Sequence, residues 1–295
     1  MGRPPLSRYL LRSRSRVLAL TAVLMLAALP LLAGCEKGEA KTALSYTADA
    51  KRAYEDAMIE FNSHNWIEAQ SLLREVKRKY SYSKFARLAE LRIADADYEQ
   101  EKFAEAIRGY RQFVHDHRSD VEEVSYARSR IAEAQYSQIS ESFLLPTADE
   151  RDQAVIIDAF KELKSYVHDY PNAKESKKIR ELLADVTARL MRHELYVARF
   201  YLQRDNFDAA VLRIQYSMRT FAGGPATRDP SPNAADAIDS GLEAEALLLL
   251  GEVYLKMHKF ADARESFVVL LRDYPKSPLV LQANNYLDYM KERGV

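Results

Sequence analysis

The sequence predicts an all-α fold built from repeated pairs of helices, and three observations indicate it. The 295 residues include 9 Gly and 10 Pro, which is too few turn residues for a many-stranded β protein. Apolar residues make up 47% of the chain and charged residues 29%, which is too apolar for a disordered chain. A short apolar phrase also recurs five times with the spacing of one helix face. Together these features favour stacked helical hairpins.

Residues 1–34 have the pattern of a bacterial lipoprotein signal peptide. Five arginines precede an uncharged run, residues 17–33, and the run closes on Leu-Ala-Gly-Cys35. A basic segment, a short apolar segment and small residues before a cleavage point define a secretory signal peptide. The four closing residues resemble the lipobox, in which the cysteine is acylated and becomes the first mature residue. We therefore expect lipid on Cys35, with an incidental buried thiol as the alternative.

Removal of the leader changes the charge and the expected location of the chain. The full sequence has 43 basic and 43 acidic residues, whereas residues 35–295 have 38 and 43, a net charge of −5. Without a basic excess to hold a phosphate backbone, nucleic acid is not an expected partner. Glu36 stands where an aspartate would signal retention in the inner membrane, so the outer membrane is favoured, with the body in the periplasm. Residues 35–47 are polar and aperiodic, which predicts a flexible tether.

The recurring phrase is a large apolar residue, two further residues, an alanine, and apolar residues four and seven positions later. The steps between the alanines are 37, 53, 51 and 53 residues. Because residues at this spacing share one face of a helix, each phrase predicts the second helix of a hairpin. The five phrases begin at Trp66, Phe103, Ile156, Phe207 and Phe260.

An apolar stripe upstream of each clear phrase predicts the first helix of each hairpin; in the fourth hairpin it is Tyr196, Ala198 and Tyr201. This is the pattern of tetratricopeptide repeats, normally about 34 residues long. Steps of 53 residues leave an excess that we assign to elongated helices, as over residues 173–190. The exception is the segment 223–240, rich in Gly and Pro, which predicts an exposed loop. Such arrays form a superhelix whose concave face binds peptides or proteins.

No catalytic, metal or cofactor motif stands out in the sequence. His193-Glu194 begins the zincin pattern, but Val197 occupies the position of the second histidine ligand. Phosphate-binding glycine loops and the GxSxG motif are also absent from the sequence. We therefore expect a chain that is not an enzyme and holds no cofactor.

With a lipobox and five hairpins, the sequence resembles the BamD-like lipoprotein family of the outer-membrane β-barrel assembly machinery. The stretch from His193 to Phe207, HELYVARFYLQRDNF, is similar to the fourth helix pair of that family. Arg151-Asp152 before the third phrase and Tyr170-Pro171-Asn172 after it are also similar. The resemblance covers nearly the whole mature chain and implies a scaffold without a catalytic site.

The resemblance also implies two binding regions and their partners. Repeats 48–172 are expected to receive the targeting peptides of unfolded outer membrane proteins, with family positions that fall on Tyr80, Tyr82 and Phe85. Repeats 173–295 are expected to dock on the barrel-forming insertase and its accessory lipoproteins. The family position that contacts the insertase falls on Arg213, and Arg204 is a second candidate.

Two other functions remain open at this point. A different lipoprotein scaffold, such as a pilotin for a secretin or pilus ring, would share the anchor and the fold. A periplasmic enzyme or sugar-binding module on a helical frame would require a convergent polar site. Partner capture separates the first alternative from the assembly scaffold, and hydrolase activity would reveal the second.

Overall fold

The computed structural model describes residues 43–139, 152–221 and 240–295, and all regular structure within these ranges is helical. The prediction of an all-α fold is therefore confirmed. Eleven helices are present in the described residues. They are α1 (Ala43–Asn62), α2 (Trp66–Lys79), α3 (Lys84–Glu99), α4 (Phe103–Asp116), α5 (Val121–Ser137), α6 (Ala154–Asp169), α7 (Ser176–Leu202), α8 (Phe207–Thr220), α9 (Glu243–Lys256), α10 (Phe260–Asp273) and α11 (Val280–Glu292).

Within the compact unit that residues 50–295 form, each helix from α2 onward packs against the next one along the chain. The helices α3 to α10 therefore stack as successive pairs, and α11 packs on α10 after the last pair. A continuous apolar cluster runs through α6 to α11, and a second cluster fills the space among α3, α4 and α5. This arrangement is the helical repeat array that the recurring phrase predicts.

Four hairpins turn in the same way, through one residue with a left-handed backbone. These residues are His64, Glu101, Asp205 and His258, with φ of 62°, 59°, 54° and 60°. In each turn the next amide donates to a carbonyl five residues earlier, as from Lys102 to Asp97 at 2.9 Å. That bond satisfies a carbonyl at the end of the first helix. The second helix then begins at the aromatic residue of the phrase, two positions after the left-handed residue.

The alanine of every phrase is completely buried, as the repeat pattern predicts. A methyl group at this position lets the second helix of each hairpin pack closely on its neighbours, because a larger side chain would hold the two backbones apart. The five alanines are Ala69, Ala106, Ala159, Ala210 and Ala263. The local phrase therefore predicts tertiary packing correctly in all five hairpins.

The third pair differs from the others, and α7 is unusually long. Helices α5 and α6 are separated by residues 138–153, whereas the turns of the other pairs take three or four residues. Helix α7 has 27 residues, so much of the excess over a standard repeat is indeed helical. The loop 223–240 lies outside the described residues except for Ser240.

Two details differ from the expectations drawn from the sequence. Residues 43–47, the end of the predicted tether, belong to α1, because Ala43 and Leu44 are strong helix formers that extend it. Tyr196 is exposed rather than buried. Residues two apart on a helix point in different directions, so Tyr196 and Ala198 cannot share a stripe. Leu195 takes the buried position three residues before Ala198 instead.

A buried polar cluster joins α3, α4 and α5. Asp95 is 3% exposed, and its carboxylate accepts hydrogen bonds from the hydroxyls of Tyr110 and Tyr126 and pairs with the guanidinium of Arg92. Burial, followed by the negative charge of Asp95, raises the pKa of both tyrosines above the ordinary value. Both hydroxyls therefore remain protonated donors at neutral pH, which keeps the buried carboxylate satisfied.

Candidate partner-binding surfaces

The corner between α2 and α3 holds the three residues expected to contact targeting peptides. Tyr82 is 94% exposed, whereas Tyr80 and Phe85 are buried. The rings of Phe85 and Tyr54 lie 5.7 Å apart, which ties the corner to α1. Tyr82 can therefore touch a partner directly, while Tyr80 and Phe85 hold the corner in place.

Cations flank this corner on both sides. The ammonium of Lys79 lies 5.4 Å from the centre of the Tyr80 ring, and that of Lys84 lies 5.3 Å from the Phe85 ring. Ser83 caps α3, because its hydroxyl accepts a hydrogen bond from the amide of Ala86 at 3.2 Å. Helix α3 begins at Lys84, so Tyr82 lies in the short connection between α2 and α3 and belongs to neither helix.

Arg213 lies in the middle of α8, with 44% of its side chain exposed. Its Nη1 donates to Oε2 of Glu194 on α7 at 3.2 Å, and the side chain of Glu194 is 9% exposed. One guanidinium nitrogen is thus held by a buried carboxylate of the same chain. The exposed part of the planar group remains available for bidentate pairing with a carboxylate of a partner.

Sequence reasoning missed the surroundings of Arg213. Leu212 and Tyr216 are exposed on the same helix, at the adjacent position and three residues further on. Arginine and tyrosine are both enriched in protein-binding hot spots, so Arg213 and Tyr216 together form a candidate contact patch. The helical spacing of Arg213 and Tyr216 could have indicated this patch. The sequence gives no such indication of the ion pair between Arg213 and Glu194, which lie 19 residues apart.

Arg204 occupies a different environment, in the turn between α7 and α8. Its guanidinium stacks over the ring of Phe200 at 3.5 Å and donates to the carbonyl of Phe200 at 3.3 Å. Phe200 is itself exposed. The structure therefore gives the two candidate arginines separate partners within the chain, one aromatic and one acidic.

The lipidation residue Cys35 lies outside the described residues. Across residues 43–139, 152–221 and 240–295, histidines and carboxylates do not come together in a group that could hold a metal ion. None of the described helices has the length and apolar character that crossing a membrane requires.

A comparison with protein families decides the affiliation of the chain. Residues 47–232 match the model of YfiO, described as an outer membrane lipoprotein. The chain belongs to this family. Residues 245–277 separately match a tetratricopeptide repeat model, which agrees with the last helix pair, α9 and α10. Both the resemblance noted in the sequence and the repeat type are confirmed.

Curated relatives from several bacteria carry the name "Outer membrane protein assembly factor BamD". One from Neisseria meningitidis serogroup A is 25% identical over 79% of this chain and 82% of the relative. One from Neisseria gonorrhoeae is 25% identical over 86% and 91% of the two chains. One from Caulobacter vibrioides is 26% identical over 83% and 72%. The family and these names agree with the expectation that the chain is not an enzyme.

Proposed function

We propose that this chain is an outer membrane protein assembly factor, anchored by lipid on Cys35 with its body in the periplasm. The observation that carries the proposal is its membership of the YfiO outer membrane lipoprotein family, together with relatives named BamD along most of their length. A stack of helix pairs without a catalytic motif suits a scaffold that acts by binding.

The first binding role is reception of targeting peptides of unfolded outer membrane proteins by the N-terminal repeats. The exposed ring of Tyr82 supports it, because tyrosine gives a large contact area at low cost in side-chain entropy. The peptide is expected to lie across the corner that Tyr80 and Phe85 hold from beneath.

The second binding role is docking on the barrel-forming insertase through Arg213. Its exposed guanidinium, bordered by Leu212 and Tyr216, supports this role, since a partner carboxylate flanked by apolar atoms would match all three side chains. Arg204, stacked on the exposed ring of Phe200, extends the same role to the nearby turn.

The docking test compares two arginines on one helix. Arg213→Gln should abolish recovery of the insertase when the lipidated chain is crosslinked in membranes and purified. Arg219→Gln makes the same charge change at another exposed position of α8 and should leave recovery unchanged. Equal recovery by both variants would remove Arg213 from the interface. Recovery of a secretin or pilus component instead would favour the pilotin function.

The peptide and anchor roles have their own tests. Tyr82→Ala should reduce crosslinking of a C-terminal outer membrane protein peptide at least several-fold, while Ile67→Ala, at an exposed apolar position of α2, should not. Cys35→Ser should abolish incorporation of labelled palmitate into the chain and leave the leader, residues 1–34, uncleaved. Equal incorporation of labelled palmitate into the parent and the Cys35→Ser chain would exclude lipid on Cys35.

A further inference from the structure

A groove of about 1020 Å³ opens between α9 and α11, at the C-terminal end of the array. Its volume is at the upper end for ligand sites, which suggests a peptide rather than a small metabolite. The apolar part of its lining is formed by Leu202, Leu255, Phe260, Tyr286 and Tyr289. The groove is separate from the Tyr82 corner and from Arg213, which do not line it.

One wall of the groove is held rigidly. The hydroxyl of Tyr286 donates to Oε1 of Glu252 at 2.9 Å, and its ring stacks on Phe267 with centres 5.1 Å apart and an angle of 11° between the planes. Phe267 in turn lies directly over Gly251, where there is no side chain to displace it. The wall is therefore pre-organised, which lowers the entropy cost of binding.

The exposed face of α11 offers hydrogen bonds along the groove. Gln282, Asn285 and Tyr289 follow one another at helical spacing, and all three are exposed. Side-chain amides supply both a donor and an acceptor, which suits the backbone of an extended peptide. From Gln282 to Arg293 the helix rises about 16 Å, enough for about five extended residues.

The charges at the groove are unequal. Lys256 and Arg293 line it, and neither has an acidic partner among the residues that the structure describes. The carboxylate of Glu252, in contrast, already accepts hydrogen bonds from Tyr286 and Gln282. An oxygen of the terminal carboxylate of Val295 accepts a hydrogen bond from the guanidinium of Arg264 at 2.6 Å, so this negative charge already has a cationic partner. The groove therefore has two cations without an ion-pair partner among the described residues, against the one carboxylate of Glu252, so its lining is net positive although the mature chain has a net charge of −5.

We propose that this groove binds an extended acidic peptide segment of a partner protein. An apolar side chain of the segment would lie against Leu255 and Phe260, and its carboxylates would pair with Lys256 and Arg293. The backbone of the segment would bond to the amide of Asn285. This site is additional to peptide reception at Tyr82 and to docking at Arg213, and it does not depend on either.

The test uses the mature chain and two pools of fluorescein-labelled decapeptides of equal apolar content, one with four acidic residues and one with four basic residues. Fluorescence anisotropy should show at least tenfold tighter binding of the acidic pool. The double variant Lys256→Glu with Arg293→Glu should lose this binding at least tenfold. The control Lys259→Glu with Lys291→Glu makes the same charge change at exposed positions outside the groove and should retain it.

Three results would overturn the proposal. They are equal binding of the acidic and basic pools, equal loss in the control variant, and a dimer that dissociates when the groove is mutated, which would indicate a second copy as the occupant. Arg213→Gln should leave decapeptide binding intact, so failure of insertase docking and failure of this site are distinguishable. Circular dichroism at 222 nm, a wavelength that reports helix content, checks that each variant is folded.

Discussion

Nη1 of Arg213 lies 3.2 Å from Oε2 of Glu194, and this ion pair links α8 to α7. Glu194 is almost buried, whereas nearly half of the Arg213 side chain reaches solvent. A buried carboxylate that loses its counter-ion is strongly destabilising, so Arg213 stabilises the fold by pairing with Glu194, in addition to any docking role. A charge reversal at Arg213 would bring two carboxylates together, so a neutral substitution gives the cleaner test.

The first prediction concerns the stability of this pair. We expect Arg213→Met to lower the free energy of unfolding by about 1–2 kcal/mol, below the 3–5 kcal/mol of fully buried pairs because Arg213 is partly exposed. In the double variant Glu194→Gln with Arg213→Met, the loss should be smaller than the sum of the two single losses, since no buried charge remains. Urea denaturation measures all three. A strictly additive double variant would show that the pair contributes no coupling.

The second prediction concerns the approach of Phe267 to Gly251. A Cβ added at Gly251 would lie 2.6 Å from Cζ and 2.9 Å from Cδ1 of the Phe267 ring. Phe267 is fully buried against Tyr286 and has no room to withdraw. Gly251→Ala should therefore destabilise the chain by about 1–3 kcal/mol through overpacking, although alanine is the better helix former.

Gly109 provides a graded comparison for that variant. Its added Cβ would meet the Cβ of Ala94 at 3.0 Å, a contact that a small shift of the helices relieves. Gly109→Ala should therefore cost less than Gly251→Ala in thermal or urea denaturation. Equal stability of the two alanine variants would show that the Phe267 ring moves freely and that the groove wall is not rigid.

The third prediction concerns the left-handed turn residues. Glu101 has φ of 59°, a conformation that costs a residue with a Cβ about 1–2 kcal/mol and is least tolerated by β-branched residues. Glu101→Val should therefore lower the melting temperature. The free energy of unfolding of Glu101→Gly should lie within about 1 kcal/mol of that of the parent. Glycine removes the strain of the left-handed backbone, and this gain offsets the larger entropy of its unfolded chain. A Glu101→Val chain as stable as the parent would show that the turn is not constrained.

Local features of the sequence predicted most of the fold. The alanines of the five phrases are buried because small residues at helical spacing determine how two adjacent helices pack, and this information is contained in about fourteen consecutive residues. The prediction that Tyr196 is buried is wrong because Tyr196 lies two positions from Ala198, whereas residues on one helix face lie three or four positions apart. The third pair, which matches the phrase least well, is also the one whose helices are separated by residues 138–153 instead of by three or four residues.

The binding surfaces depend on contacts that are distant in sequence. Glu194 and Arg213 meet because the turn at Asp205 folds α8 back along α7, and neither residue type marks that contact by itself. The groove beside α11 depends on how far α9 and α11 stand apart, which is decided by the packing of Phe267 and Tyr286. The sequence can indicate exposed residues such as Tyr82 by their polar surroundings, but it cannot indicate the width of a groove.

The last prediction follows from Tyr110, whose hydroxyl donates to the buried carboxylate of Asp95. Burial and the charge of Asp95 raise the pKa of Tyr110 above its ordinary value of about 10. Above about pH 10 the unfolded chain loses this proton while the folded chain retains it, so stability falls as pH rises, by at most about 1.4 kcal/mol per pH unit for this residue. Below the ordinary pKa the contribution is fully present.

Tyr110→Phe should therefore be less stable than the parent near neutral pH, by about 1–3 kcal/mol, because Asp95 loses a buried donor. The difference should shrink between about pH 9 and about pH 11, since the variant has no phenol to ionise on unfolding. Urea denaturation at each pH measures it, with Tyr82→Phe, on the exposed ring, as the control that should match the parent throughout. A stability difference that stays constant across this range would mean that Tyr110 does not hold its proton against Asp95 in the folded chain.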